Sequence, residues 1–215
     1  MRATDERPGP APPGPVGGEL AAVVFGVARR LQLPALEARH SKVWVLGTFA
    51  CVSGLISIAI MACVAVVTHA PFIFPSLGPT AFLLFFGATT PPASPRNTLG
   101  GHLIGCLAGY LALVLFGLTE RGPALAVGVD WRTVGAAALS LGLTSGAMVW
   151  FGVPHPPAGA TTLIVSLGIL HEPWQLGVLM IAVVLLVVQG FVINRLAGVD
   201  YPLWAARPRP VVRGP

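Results

Sequence analysis

The sequence predicts an all-α membrane protein made of two inverted repeats of three helices each, the middle helix of each repeat short or broken. Composition is the first reason. Only 10% of the 215 residues are charged and 54% are hydrophobic. The mean hydropathy of +0.79 is more apolar than a soluble domain of this length requires. The second reason is a near-duplication 81 residues apart, which aligns Pro75-Ser76-Leu77-Gly78-Pro79-Thr80 with Pro156-Pro157-Ala158-Gly159-Ala160-Thr161. The same offset pairs Gly47 with Gly128, Gly54 with Gly135, Gly87 with Gly168, Pro92 with Pro173 and Gly109 with Gly190. Five of the eight glycines in 42–115 meet a glycine in 123–196, where nine glycines in 74 positions would give about one match by chance. A repeat of this kind in apolar sequence points to a transporter or channel with its site between the halves. Four full spans with two re-entrant half-helices is the alternative arrangement.

Residues 1–18 are rich in Pro and Gly and read as a disordered tail. They carry acids and no apolar core, unlike a cleavable signal peptide. Over 19–33, Leu20, Val23, Val24, Val27 and Leu31 recur at helical spacing, with Arg29 and Arg30 near the end. This is an amphipathic helix on the membrane surface or an ordinary packed helix, and Pro34 is expected to stop it.

The first repeat occupies 42–118. Val43–Thr68 has no charge in 26 residues, long enough to cross a ~30 Å core with tilt. His69-Ala70-Pro71 ends it. Ser76–Gly87 is apolar but reaches only ~18 Å as a helix. The extended residues His69–Pro75 add at most ~23 Å, enough to complete a crossing. Ser94-Pro95 reads as an N-cap followed by Pro at the first helical position. The helix it opens carries Arg96, Asn97 and His102 to about Leu118, and a polar loop follows over 119–132.

The second repeat, 123–196, has a span at Thr133–Phe151, a break at Pro154-His155-Pro156-Pro157, a short helix at Ala158–Leu170 and a last span at Trp174–Leu196. A basic, Pro-rich tail covers 197–215. Three crossings per half make the halves antiparallel. Arg29, Arg30, Arg39 and Lys42 precede the first span, and Arg195, Arg207, Arg209 and Arg213 follow the last. This bias predicts both termini on the cytoplasmic side, and a bacterial inner membrane is the expected location. The net charge of +5 therefore reports orientation and not nucleic-acid binding.

Cys51, Cys63 and Cys106 lie in apolar stretches without paired spacing and read as packing residues. Trp44, Trp131 and Trp174 fall near span ends, as interfacial anchors do. Gly101, Gly105 and Gly109 recur every four residues, a face for close helix packing. No Ser/His/Asp set, metal-ligand spacing or phosphate loop is evident, so neither an enzyme nor a cofactor is implied.

Chemistry concentrates at the two breaks, because non-helical backbone at membrane depth is tolerated only where protein or a cavity surrounds it. A helix start exposes unpaired N–H groups and the positive end of the helix dipole. Gly78 and Gly159 admit close approach, and Thr80, Thr161 and Thr162 offer hydroxyls. Ser76 is expected to cap the first short helix. Two such starts facing each other near the midplane suit a small anion, with Arg96 adding charge near the first break. His155, set among prolines in the interior, is the sharpest candidate: anion ligand, proton acceptor, or a structural histidine bonded to a carbonyl. His102 either pins two helices or takes part in transport. His69 and His171 sit at span ends and read as interfacial.

Three motifs carry a family resemblance. His155-Pro156-Pro157-Ala158-Gly159-Ala160-Thr161, Phe74-Pro75-Ser76-Leu77-Gly78-Pro79-Thr80-Ala81 and Pro95-Arg96-Asn97-Thr98-Leu99-Gly100-Gly101-His102 resemble, in order and spacing, the motifs of the HPP family of integral membrane proteins. The likeness runs from Lys42 to Leu196. Pro79 departs from it, since a small residue such as Ala is expected there, and a proline removes one N–H donor from the break. The resemblance implies a small protein usually described with four transmembrane segments, and some plant plastid members are associated with nitrite transport. It assigns the motif positions Ser76, Gly78, Thr80, Arg96, Asn97, His102, His155, Pro156, Pro157, Gly159 and Thr161. The expected function is transport of a small inorganic anion such as nitrite, with the bilayer and a second copy as partners. A non-transporting sensor or scaffold competes with it, as does a cation or neutral-solute channel. The absence of Asp and Glu between Val43 and Leu118 argues against a cation site.

Overall fold

The structure, a computed structural model, describes residues 32–206. The tail read over 1–18, nearly all of the surface helix read over 19–33, and the tail from 207 lie outside the described residues. Whether a helix stops before Pro34 falls outside the described residues. Pro34 itself sits in the first turn of a short helix, α1 (Leu33–Glu37), where its missing N–H has no intrahelical partner to lose.

Seven further α-helices follow: α2 (Lys42–Thr68), α3 (Leu77–Phe86), α4 (Pro95–Leu115), α5 (Ala124–Val127), α6 (Trp131–Trp150), α7 (Ala158–Ser166) and α8 (Pro173–Leu196). A 3₁₀ turn at Pro91–Ala93 precedes α4. Four of them, α2, α4, α6 and α8, are long and apolar enough to cross a membrane. At ~1.5 Å per residue α3 and α7 reach only ~15 Å. Their large apolar side chains and those of the long helices face outward in numbers (Val66, Val67, Phe82, Leu107, Ile181), as lipid-facing surface does.

Hydrogen bonds fix the path of the chain. The Leu33 N–H donates to Ala197 O at 2.8 Å, so α2 begins where α8 ends. The Arg96 N–H donates to Trp204 O at 2.9 Å and the Tyr201 hydroxyl to Ala93 O at 2.7 Å, so α4 begins at that end too. Asn194 Nδ2 donates to Leu84 O at 3.0 Å, which brings the end of α3 there as well. At the opposite end Arg132 on α6 donates to Phe116 O beyond α4 at 2.7 Å, and the Ala124 N–H donates to Leu167 O beyond α7 at 2.9 Å. The described chain therefore traverses the bundle six times. The first and third passes of each half are full helices, and the second is an extended segment completed by a short helix. The second half runs opposite to the first, as the inverted-repeat reading expects, with four helices long enough to span and two short ones between them.

Packing follows the same exchange. α4 packs on α6 and α7 of the other half, α8 packs on α2 and α3, and α4 and α8 meet between them. Gly101, Gly105 and Gly109 make the α4–α7 contact possible. A Cβ at Gly105 would lie 2.8 Å from Ala158 O, and one at Gly109 would lie 2.7 Å from Thr162 O. On α2 only the stripe Ser53, Ser57 and Met61 is buried.

The caps are largely local. Ser94 accepts from the Asn97 N–H at 3.4 Å, with Pro95 at the first helical position. Asp130 caps α6 by accepting from the Thr133 N–H at 2.9 Å and from its hydroxyl at 2.8 Å. Glu172 and Gln175 form a capping box on α8, although His171-Glu172-Pro173 reads in the sequence only as an end.

Two outcomes follow. Gly105→Ala should destabilise the protein by about 1–3 kcal/mol through overpacking. Gly47→Ala and Gly54→Ala, where a Cβ meets nothing within 4 Å, should leave the thermal midpoint in detergent unchanged or slightly raised; equal losses at all three would refute the contact scheme. The Thr133 backbone N–H, its hydroxyl and Arg121 hold the Asp130 carboxyl down from 3.8 to about 2. Its stabilisation is thus present above the ordinary carboxylate range and lost as pH falls through about 2. The stability gap between wild type and Asp130→Ala should accordingly close on acidification, and a gap that persists would contradict the cap.

Candidate functional site

The first turn of α4 builds the approach to the second break. Arg96 donates from Nη1 to Gly152 O at 2.7 Å and from Nη2 to Phe151 O at 3.2 Å, and Asn97 Nδ2 donates to Pro154 O at 3.2 Å. These bonds satisfy carbonyls at the end of α6. Arg96 therefore serves the second break and not the first, because the antiparallel passes bring the start of α4 to the end of α6. Held this way, Val153–Pro157 turns His155 inward, and the imidazole is fully buried. Its Nδ1 lies 2.8 Å from Pro92 O, and its backbone N–H meets Met148 Sδ at 3.4 Å.

From His155 a chain of polar groups crosses the middle of the bundle. His155 Nε2 is 3.3 Å from Thr80 Oγ1 on α3. Thr80 Oγ1 donates to Ser76 O at 2.8 Å and lies 2.9 Å from His102 Nε2 on α4. His102 Nδ1 is 2.7 Å from Thr161 Oγ1 on α7. The two imidazole centroids are 4.9 Å apart. Thr80, His102, His155 and Thr161 have no exposed surface. A single imidazole thus joins the two threonines that the 81-residue repeat makes equivalent. Beside it the Thr144 hydroxyl on α6 donates to Thr162 Oγ1 at 2.9 Å.

The two helix starts do face each other, as the duplicated breaks imply, but most of their amides already donate to carbonyls of the breaks themselves. At α7 the N–H groups of Ala158, Gly159 and Ala160 donate to the carbonyls of His155, Pro156 and Pro157 at 3.0–3.1 Å. At α3 the N–H groups of Leu77 and Thr80 donate to Phe74 O and Ser76 O, and Pro79 has none. Tight turns at the breaks consume most of the donors, and the Gly78 N–H is left without a backbone partner. Ser76 occupies the N-cap position of α3 without capping it: its backbone is helical there and its buried Oγ has no partner. The acceptor the centre uses is its carbonyl.

The glycines and one proline lie off the centre. Gly78 lines a groove of about 760 Å³ between α2 and α3 with Gly47, Gly54 and Phe82. A Cβ on Gly159 would meet Leu141 at 3.5 Å. Pro156 is exposed, and the buried Pro157 supplies the N-cap position of α7. Sequence reasoning missed Pro92, whose carbonyl anchors His155, and Thr144. Ser140, Thr144 and Met148 are buried one turn apart on α6, a polar stripe in an apolar span that was available as a signal. No group of three or more metal-ligating side chains occurs among the described residues.

The family described as HPP, transmembrane region, matches residues 37–202. A transmembrane protein of Dictyostelium discoideum is 28% identical over 138 residues, which cover 60% of this chain and 44% of that protein. The chain therefore spans less than half the length of this relative. No solved structure matches.

Thr161→Val should leave the buried His102 Nδ1 without a partner and cost about 1–3 kcal/mol in detergent unfolding, while Thr161→Ser should retain most of that stability. Equal behaviour of the two variants would remove the bond from the account.

Proposed function

The chain belongs to the HPP transmembrane family, and we propose that it is a transporter or channel for a small inorganic anion, nitrite or a similar monovalent oxyanion. One observation carries the reading: a continuous imidazole and hydroxyl chain, free of carboxylates, lies buried where two opposed short helices meet inside an apolar bundle. Buried polar groups in a membrane interior are costly and mark pathways by default. Imidazole N–H and threonine O–H groups are donors that suit an anion.

On this reading Thr80, His102, His155 and Thr161 meet the anion when their mutual bonds part. Arg96 and Asn97 act as positioning groups for His155, and Arg96 adds positive potential from the bundle end. The protein is a multi-pass membrane protein; the flanking arginines favour cytoplasmic termini, and a bacterial inner membrane is the proposed location. A sensor or scaffold is the second reading. It is favoured by the closed state of the centre, since the cavities of about 430–760 Å³ along α2 are not lined by His102 or His155.

The test is nitrite uptake by purified protein in liposomes, with chloride and nitrate as competitors. Saturable uptake selective for nitrite is expected. Thr80→Val and His102→Ala should lower it about tenfold or more, the equivalent of one buried hydrogen bond to a charged group, without loss of membrane insertion. No flux from demonstrably folded protein would transfer the assignment to the sensor or scaffold.

A further inference from the structure

We propose that His155 Nε2 is a proton-binding site and that the protein takes up one proton with each anion. The inference rests on the anion reading for its coupling partner, and on hydrogen counting for the site itself. Five contacts link the centre: His155 Nδ1 to Pro92 O, His155 Nε2 to Thr80 Oγ1, Thr80 Oγ1 to Ser76 O, Thr80 Oγ1 to His102 Nε2, and His102 Nδ1 to Thr161 Oγ1. With both imidazoles neutral, the four side chains own four hydrogens, one each.

Pro92 O only accepts, so the single hydrogen of neutral His155 is on Nδ1 and its Nε2 is a bare acceptor. Ser76 O is also only an acceptor. Both then require the one hydroxyl hydrogen of Thr80, and one of the two contacts goes unmade. The 2.8 Å contact to Ser76 O outcompetes the 3.3 Å contact to His155 Nε2. A proton added to His102 does not help, because the Thr80 hydrogen stays contested. A proton added to His155 Nε2 completes the set: Nε2–H donates to Thr80 Oγ1, Thr80 donates to Ser76 O, His102 Nε2–H donates to Thr80, and Thr161 donates to His102 Nδ1.

The surroundings explain why that proton would arrive with an anion. The elements around His155 present Thr80 from α3, Gly101 and His102 from α4, Met148 from α6, Ala158 from α7 and Pro92 from the 3₁₀ turn. His102 is the one titratable group among them. Nearby, Arg96 is bound to the Phe151 and Gly152 carbonyls, Cys106 is one turn further along α4, and the Tyr201 hydroxyl donates to Ala93 O. The carboxylates of the described residues, Glu37, Glu120, Asp130, Glu172 and Asp200, lie in loops and at helix ends. An imidazolium buried without a counter-charge is costly. A monovalent anion against it supplies the missing charge, so proton and anion favour each other's binding and the pair moves without net charge.

The experiment uses the full protein in liposomes with nitrite, an internal pH dye and a potassium diffusion potential. Expected is one proton per nitrite and a rate that the imposed potential does not alter. His155→Asn keeps a donor for Pro92 O and removes Nε2; Thr80→Val removes the contested hydroxyl. Either should abolish the proton linkage, and the second keeps the test open if the first does not fold. Nitrite uptake driven by the potential without proton movement would overturn the coupling and leave anion transport standing. If there is no uptake at all, the anion reading falls, and nitrogen NMR of histidine-labelled protein decides the site. A ring that gains its second proton before His102 on mild acidification, and vanishes in His155→Asn, supports it. A His155 ring that stays neutral while His102 titrates overturns it.

Discussion

The arrangement depends on one bridge: the His102 ring between Thr80 and Thr161. Imidazole is the side chain that offers two ring nitrogens on opposite edges at a fixed separation. It can therefore tie together two hydroxyls that belong to different halves of the molecule. In an apolar interior each of these groups is expensive unless paired, so the three stabilise the fold only as a set. The bridge also constrains the helix that carries it. α4 must approach α7 closely enough for His102 to reach Thr161 in one bond. Gly101, Gly105 and Gly109 permit this, because a side chain at any of them would occupy space held by His155 or by the α7 backbone.

The repeat supplies the two threonines, and departures from the repeat supply the histidines. At the 81-residue offset His102 corresponds to Val183 and His155 to Phe74. Both counterparts are buried apolar residues. An inverted pair of identical halves would place two hydroxyls across an axis with nothing between them. Replacing one apolar residue in each half by histidine fills that gap, and it makes the centre directional. One threonine meets both rings, and the other meets one. Two carbonyls complete the centre: Pro92 O, in the 3₁₀ turn before α4, meets His155 Nδ1, and Ser76 O accepts the Thr80 hydroxyl one turn on.

Much of this was legible in the residues, and the limits have physical causes. Apolar runs of 20 or more residues and the Pro/Gly breaks marked the long and short passes, since length against bilayer thickness is a strong constraint. The duplicated Gly-Pro-Thr breaks implied opposed helix starts, and these do meet. Which partner each polar group takes was not legible. Arg96 lies in a motif between the breaks, yet its guanidinium pairs with carbonyls more than fifty residues away, a consequence of antiparallel passes that periodicity does not encode. Ser76 has the chemistry of a cap, but the turn before α3 gives it helical backbone angles that aim the hydroxyl away from the free amides. Pro34 reads as a stop and stands in the first turn of α1, because a residue that cannot continue one helix is well placed to begin the next. His102 was ambiguous for the plainest reason: one residue on an apolar helix has no periodic partner to reveal what it touches.

The two halves also differ in how firmly their short helices are seated, and this difference bears on how a closed centre can open. α7 lies against the glycine face of α4, backbone to backbone, and α6 covers it from the other side. α3 occupies the equivalent place on α8, where the residues corresponding to Gly101 and Gly105 are Ala182 and Leu186. Only the third glycine survives, as Gly190 beneath Leu84. A leucine in that row holds the partner helix off. α3 is accordingly seated through side chains and not through backbone, and it does not pack closely on α4 or α7. The Thr80 hydroxyl is what reaches across to the histidines. Side-chain contacts yield by rotamer change, whereas carbonyls packed on a glycine face do not. The seam between α3 and the α4–α7 pair is thus the least costly place to separate, and the bonds that would break there are the ones Thr80 makes. On the proposal of proton-coupled anion transport, the joint that must part and the contested hydrogen belong to one side chain, Thr80.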